Sequence, residues 1–254
     1  MSTAPEPLGP NNANIQRLRR LLGRRSARRD EGAYVIEGPT LVAEAHAAGL
    51  DLDIYVDEDA LDLVPADAQR VNVVRAGLLA RVSSTETPQP ILATTPIRAG
   101  ALAELAGASF VLVAAGVSDP GNLGTMLRSA EAAGAAGLVT TVGSVDPYNP
   151  KCVRASAGAL FHVPVVADIE PAGLRSLSIA LVGTVAGGGE PYDAPGALAR
   201  PLALVLGSEA HGIAADVPID RYVTINHLGR AESLNVAMAA TVLSFEIARA
   251  ARPA

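Results

Sequence analysis

Three short stretches of this chain carry side chains with chemistry in reach: Asp119–Arg128 (DPGNLGTMLR), Leu206–Gly212 (LGSEAHG) and Ile225–Asn235 (INHLGRAESLN). Each follows a strand-like run and mixes small residues with one or two polar side chains. Strands feeding glycine-containing loops are the pattern of open α/β sheets, whose ligands sit at the carboxyl ends of strands. Ser233 and Asn235 bracket an apolar residue at a helix start, where backbone N–H groups are unpaired and available to a ligand. None of the three has the Gly-x-Gly-x-x-Gly spacing of a dinucleotide fold or the Gly-Lys-Ser of a phosphate loop. A serine elbow and a paired-histidine metal site are absent as well. Oxidoreductase and nucleotidase readings lose support accordingly.

Every one of these residues also has a plain structural reading. Arg128 pairs with Glu131 one turn on. Asn122 is an N-cap, and Glu209 a helix-start carboxylate answering the dipole. His211 and His227 lack metal-ligand spacing and read as structural or solvent-facing loop residues. Cys152 reads as a small buried packing residue.

The elements that must position the loops alternate between strand and helix. Ile15, Leu18, Leu21 and Leu22 sit at helical spacing among arginines, so 14–29 is an amphipathic basic helix. Strands follow at 33–37, 53–56, 71–74 and 91–95, with helices at 39–48, where Pro39 occupies the first turn, and at 77–82. Residues 1–13 read as a disordered N-terminus, 14–98 as a compact α/β domain, and the Ala/Gly-rich piece 99–108 as a linker. From 109 onward, strands are expected at 110–117, 138–142, 163–166, 179–185 and 202–206, and helices at 122–133 and 152–160. Phe110–Val117 is unbroken and apolar, as in a buried parallel sheet. Tyr222, Val223 and Ile225 make a strand, and Leu234, Met238, Val242 and Phe245 an apolar stripe on a helix that Ser233 caps.

Composition bounds the rest. With 254 residues and 49% hydrophobic content the chain can bury one large core or two modest ones. No apolar run reaches membrane-spanning length, and the polar N-terminus lacks a signal-peptide pattern. A single cysteine excludes an intrachain disulfide and a cysteine metal cluster, which fits a reducing, cytoplasmic setting. Net charge is −6, yet Arg17, Arg19, Arg20, Arg24, Arg25, Arg28 and Arg29 crowd one segment. A local basic patch attracts phosphate whatever the total charge, so these arginines are RNA-binding candidates; otherwise they form a solvated helix face. Aromatics are 3% with no Trp, which argues against base stacking as the main contact.

Taken together, the three loops resemble the three motifs of the SpoU (TrmH-like) RNA 2′-O-ribose methyltransferases of the SPOUT superfamily. The match runs through Asn122-Leu123-Gly124 with Arg128, then Leu206-Gly207-x-Glu209-x-x-Gly212, then Ile225 with Gly229 and Ser233-Leu234-Asn235-Val236. The first half resembles the substrate-binding domain often fused in this family, an α/β unit like some ribosomal proteins, through Glu37-Gly38-Pro39, Val42-Glu44-Ala45 and Thr85-Glu86-Thr87-Pro88-Gln89. The chain departs from the family at Asn226-His227, where Pro-Met is usual, and at Pro90, where Gly is common.

The resemblance implies an α/β fold: a SPOUT methyltransferase domain at 109–254, with a parallel sheet and a trefoil knot, behind the smaller RNA substrate-binding domain. It implies S-adenosylmethionine as cofactor. Gly207, Ile225 and Leu234 would hold it through backbone groups, and Thr184 and Val185 would line the same pocket. Arg128 would stabilise the ribose alkoxide or grip a phosphate, since a guanidinium keeps its proton at neutral pH. Asn122 would orient it or the ribose, and Glu209, Ser233 and Asn235 would position the ribose or support the arginine. The family works as a homodimer through the knotted domain. RNA is the implied partner, 23S ribosomal RNA first and transfer RNA second. A non-catalytic RNA-binding or ribosome-assembly protein of the same fold is the competing reading, against which the presence of Arg128 and Asn122 counts.

Overall fold

A computed structural model describes residues 6–83, 85–230 and 232–252. The chain divides into two compact units: residues 1–97 with Tyr148–Arg154, and Arg98–Pro147 with 155–254.

In the first unit, helices α1 (Ala13–Gly23), α2 (Arg25–Glu31) and α3 (Pro39–Ala47) accompany strands β1 (Ala33–Glu37), β2 (Asp53–Asp57), β3 (Val71–Val74) and β4 (Ile91–Pro96). The sheet runs β1-β4-β2-β3; β4 is antiparallel to both its neighbours and β3 parallel to β2. Ile15, Leu18, Leu21 and Leu22 are buried against Val35, Tyr55, Val74, Leu79 and Leu92, so the helical stripe read from spacing is the face α1 packs. The helix expected over 14–29 is instead two. Gly23 is a poor helix residue, and Arg24 beyond it is extended. Arg28 then folds back, its Nη1 donating to the carbonyls of Leu21 at 2.6 Å and Leu22 at 3.4 Å. These are the orphan acceptors at the end of α1.

Residues 6–13, expected as part of a disordered N-terminus, are ordered. Leu8 forms a parallel bridge with Val74, and the Asn12 side chain caps α1 by accepting from the Asn14 N–H at 2.9 Å. Residues 1–5 lie outside the described residues. The helix expected at 77–82 is only a 3-10 turn at Leu79–Arg81.

The second unit is built on strands β5 (Phe110–Ala115), β6 (Leu138–Thr141), β7 (Val165–Ile169), β8 (Ala180–Thr184), β9 (Glu190–Pro191), β10 (Leu202–Gly207) and β11 (Arg221–Thr224). They form one sheet in the order β7-β6-β5-β10-β8-β11-β9, parallel at every pairing. All six residues of β5 and all six of β10 are buried, which is why both read as unbroken apolar runs. Helices α4 (Pro120–Ala132) and α6 (Val236–Ala250) pack on each other, tied by a 2.7 Å hydrogen bond between the Ser129 and Thr241 hydroxyls. The opposite face of the sheet is closed by Leu105, Leu174, Leu177 and Val217.

Residues 99–108 are therefore not a free linker. Gly100 donates to Val165 O and Gly107 to Leu177 O, and Leu105 is buried in the core. The helix expected at 152–160 ends early, as α5 (Pro150–Ala155). Ala157 and Gly158 both adopt positive φ, 48° and 96°, a conformation a right-handed helix cannot contain.

Candidate active site

β10 ends at Gly207, and the chain turns back on itself at once. Ser208 and Gly212 exchange two backbone hydrogen bonds of 2.9 Å, making a tight hairpin with Glu209 and His211 at its exposed tip. A Cβ on Gly207 would lie 2.1 Å from the Gly212 carbonyl carbon, so no side chain fits there without moving the hairpin. The glycine is required by backbone crowding within the loop itself. Glu209 thus sits on a hairpin, not at a helix start.

The other two loops are fixed by caps. Asp119 caps α4, accepting from the Asn122 N–H at 2.8 Å, with Pro120 in the first turn. Capping by Asp119 leaves the Asn122 side chain free to point elsewhere. At α6 the cap is Asn235, not Ser233: its Oδ1 accepts from the N–H groups of Ala237 at 3.0 Å and Met238 at 3.3 Å.

These caps bring the three motifs into one chain of hydrogen bonds. Asn235 Nδ2 donates to Asn122 Oδ1 at 3.0 Å, and Asn122 Nδ2 donates to Glu209 Oε1 at 2.6 Å. The direction is forced. A helix N-terminus only donates, so Asn235 must turn its oxygen to it and its amide nitrogen to Asn122. Asn122 must then answer with its oxygen and offer its own nitrogen to Glu209, a carboxylate that only accepts when ionised.

The network sits at one side of a cavity of about 390 Å³, within the range of small-molecule sites. Thr184, Val185, Gly207, Ile225 and Leu234, the residues expected to hold the cofactor, all line it. Glu209, Ser233 and Asn235 line it too. Most of the remaining wall is apolar or small, including Leu206, Val223 and Leu243. An adenosyl group with a zwitterionic tail suits such a cavity: apolar walls for the base, and a few polar groups from the loops for the tail.

Two expected site residues lie outside the cavity wall. Asn122 reaches it only through its two partners. Arg128 is exposed on α4, and among the described residues neither Glu131 nor any other carboxylate pairs with it. Its guanidinium is thus not held in a helix-surface ion pair. One wall residue has no ligand role by its spacing alone. His227, expected to be only structural or solvent-facing, lines the cavity; its place in the loop of the third motif was the available signal. Cys152 is fully buried, as its packing reading requires.

The seven arginines belong to the first unit and divide by environment. Arg28 is 4% exposed and holds the carbonyls of α1, so it is removed from the RNA-facing set. Arg17 and Arg20 pair with Glu31 at 2.6 and 3.2 Å. Burial pushes the Glu31 carboxyl up, but hydrogen bonds from Arg17 and Arg20 outweigh it and hold the group below the usual carboxylate range. Arg19, Arg24, Arg25 and Arg29 are exposed.

Comparison with known proteins fits this geometry. Residues 109–245 match the SpoU rRNA Methylase family. The chain belongs to that family. Residues 12–93 match the MRM3-like substrate binding domain. Among curated SpoU relatives, the chain is 34% identical over 226 residues to the 23S rRNA (guanosine(2553)-2'-O)-methyltransferase RlmP of Bacillus subtilis, covering 84% of this chain and 88% of that protein. It is 29% identical over 263 residues to the 23S rRNA (uridine(2479)-2'-O)-methyltransferase of Streptomyces viridochromogenes, covering 94% and 90%. Among solved structures, the SpoU methyltransferase AviRb from Streptomyces viridochromogenes in complex with AdoMet superposes with a TM-score of 0.84 at 29% identity, covering 94% of this chain and 98% of that one. A putative RNA methyltransferase of the TrmH family from Porphyromonas gingivalis gives 0.81 at 34% identity, covering 94% and 99%. The family resemblance, the α/β class and the parallel sheet expected from sequence are borne out.

Proposed function

We propose that this chain is an RNA 2′-O-ribose methyltransferase that uses S-adenosylmethionine and acts on 23S ribosomal RNA. The observation that carries this reading is the Asn235–Asn122–Glu209 hydrogen-bond chain beside the cavity. A purely structural set of helix caps has no need to tie three loops together at a ligand-sized opening. Relatives named as 23S ribosomal RNA methyltransferases support the choice of target.

When bound, S-adenosylmethionine supplies an electrophilic methyl on its sulfonium. The chain supplies binding and charge. Gly207, Ile225 and Leu234 present backbone groups to the cofactor, with Thr184 and Val185 beside them. Ser233, Asn235 and Glu209 orient the ribose, and Asn122 fixes Glu209. Arg128, with no protein carboxylate to neutralise it among the described residues, stabilises the developing 2′-alkoxide or grips an adjoining phosphate. Arg19, Arg24, Arg25 and Arg29 hold the RNA backbone.

Two further parts of the reading concern architecture. Leu234, Met238, Val242 and Phe245, the apolar stripe read from helical spacing, are 38%, 62%, 40% and 47% exposed. The opposite face of α6, with Val236, Ala237, Ala240, Leu243 and Ile247, is the buried one. An apolar stripe beside the cavity suits a homodimer through this domain. A trefoil knot of the C-terminal segment is likewise part of the proposal, supported by the non-sequential sheet order β5-β10-β8-β11. We place the enzyme in the cytoplasm; among the described residues no helix is long and apolar enough to cross a membrane.

The test is methyl transfer from labelled cofactor to ribosomal RNA, with mass spectrometry mapping the ribose that loses its methyl when the gene is deleted. Arg128→Ala should lower the rate on the order of a hundredfold or more while cofactor affinity stays within about twofold of wild type. A fully active variant removes Arg128 from the mechanism.

A further inference from the structure

The densest charge on this chain lies in the first unit. Over residues 17–31 seven arginines stand against two carboxylates, Asp30 and Glu31, whereas the whole chain carries −6. Glu31 is engaged by Arg17 and Arg20, and Arg28 is buried. Arg19, Arg24, Arg25 and Arg29 are exposed. Arg25 and Arg29 stand one turn apart on α2 and so share a helix face. The rings on which bases could stack are turned inward. Tyr34, Tyr55 and Tyr148 are the only Phe, Tyr or Trp side chains of this unit, and all three are buried. Its one imidazole, His46, is held by Asp67 at 2.7 Å. Among the amides near the arginines, Asn12 caps α1 and Gln16 donates to Pro10 O at 2.8 Å.

Granted the RNA substrate proposed above, we propose that the first unit grips a double-helical segment of that RNA through its phosphates and does not read its bases. Single-stranded RNA is held largely by stacking its open bases on aromatic side chains, and this unit turns no such ring to solvent. A double helix hides its bases and presents a stiff double row of phosphates, with about twice the charge per length of one strand. Exposed guanidiniums carried on short helices match that row: each donates to phosphate oxygens, and the RNA need not be ordered first. The choice of nucleotide is then left to the second unit.

The magnitude follows from counterion release. Log K falls with log salt by about 0.9 for each duplex phosphate neutralised and by about 0.7 for each in a single strand. With about four phosphates engaged, one for each exposed arginine, the preference for duplex over strand should grow about threefold as salt drops from about 200 to about 50 mM. The denser charge of the duplex should make the preference itself about tenfold at the lower salt.

Fluorescence anisotropy on the full chain tests this, with a labelled RNA duplex of about 16 base pairs, the span of a double-stranded RNA module, against each of its strands. The duplex should win about tenfold near 50 mM salt, and a duplex of scrambled sequence should bind within about twofold of the first. Replacing Arg19, Arg24 and Arg29 together by Gln should remove the preference, with melting within about 2 °C of wild type because all three are exposed. Replacing the same three by Lys should keep it, since lysine meets phosphate as a point charge but does not reproduce guanidinium stacking or a bidentate base contact. Strands that bind as tightly as the duplex, a loss of about tenfold on scrambling, a Gln variant that keeps the preference, or a Lys variant as impaired as the Gln one each overturn the proposal. Methyl transfer to ribosomal RNA, measured alongside, separates the two readings. Transfer without a duplex preference overturns this inference alone, and a duplex preference without transfer upholds it while overturning the enzymatic assignment.

Discussion

Asn235 does two things that substitution can separate. Its Oδ1 caps α6 and its Nδ2 holds Asn122. Asn235→Ala removes both. Loss of a cap costs about 1 kcal/mol, and loss of the Asn122 bond about 0.5–1 kcal/mol; the abandoned Asn122 oxygen can be met by water. The sum, about 2 kcal/mol, corresponds to a fall of about 5 °C in melting temperature for a chain of this size. Asn235→Ser keeps a capping oxygen and loses only the second bond, so it should melt about 2 °C low. Asn235→Asp keeps the cap and adds a favourable charge at the helix start, so its melting temperature should match the wild type. The new carboxylate, however, faces Asn122 Oδ1, and the Asn122 amide must turn round. Its oxygen then confronts Glu209, which is pushed out of place. A displacement of about 1 Å in a site of this kind lowers rates on the order of a hundredfold. Differential scanning calorimetry and single-turnover methyl transfer, run on the three variants together, should show the Asp variant stable but slow. An Asp variant that transfers methyl at the wild-type rate refutes a functional role for the network, and an Ala variant with unchanged melting refutes the cap assignment.

Other outcomes follow from the same geometry. Gly207→Ala should abolish cofactor binding by forcing the 208–212 hairpin apart, since the added Cβ would stand 2.1 Å from the Gly212 carbonyl carbon; calorimetry showing wild-type affinity would place the pocket elsewhere. Replacing Arg19, Arg24 and Arg29 by Ala should reduce the slope of log K for RNA against log salt by about one for each phosphate no longer neutralised, with Arg28 left in place because it is structural. An unchanged slope in filter binding returns the segment to a solvated helix face. The Glu31 carboxyl titrates lower in the folded chain than its ordinary value. Its contribution is present in full above about pH 4.3 and is lost as pH falls through the lowered folded value. Melting curves from pH 5 to 3 should therefore show the gap between wild type and Glu31→Gln closing towards acid.

The parallel sheet was legible in the sequence because its evidence is local. Buried strands such as Phe110–Ala115 and Leu202–Gly207 announce themselves as apolar runs, and two of the three active-site loops follow one; the third follows the half-exposed β11. The joins between loops were not legible. Asn122 and Glu209 are 87 residues apart, and Asn122 and Asn235 are 113 apart; only the family resemblance placed them together. The buried face of α6 was not legible for a different reason. Both of its faces are apolar, so periodicity cannot choose between them, and the small residues Ala237 and Ala240 went inward because α4 and the sheet leave room for little else. Arg28 misled because a charged residue in a basic run looks solvent-facing until the break after Gly23 turns it under α1.

Tyr148–Arg154 is numbered within the stretch that matches the methylase family, yet it folds with the first unit. There Tyr148 packs against Tyr34 at a centroid separation of 5.1 Å, and Arg154 is salt-bridged to Glu37, whose carboxylate is almost wholly sequestered and also accepts from Ser83 Oγ. The borders of the family segments are thus not seams along which this molecule can be cut. A graft of residues 1–97 onto another methylase would leave Glu37 as an interior anion without its cation, a defect typically worth about 3 kcal/mol or more. Donor and recipient in any such exchange must also share the seven-residue stretch that the polypeptide lends back to its own beginning.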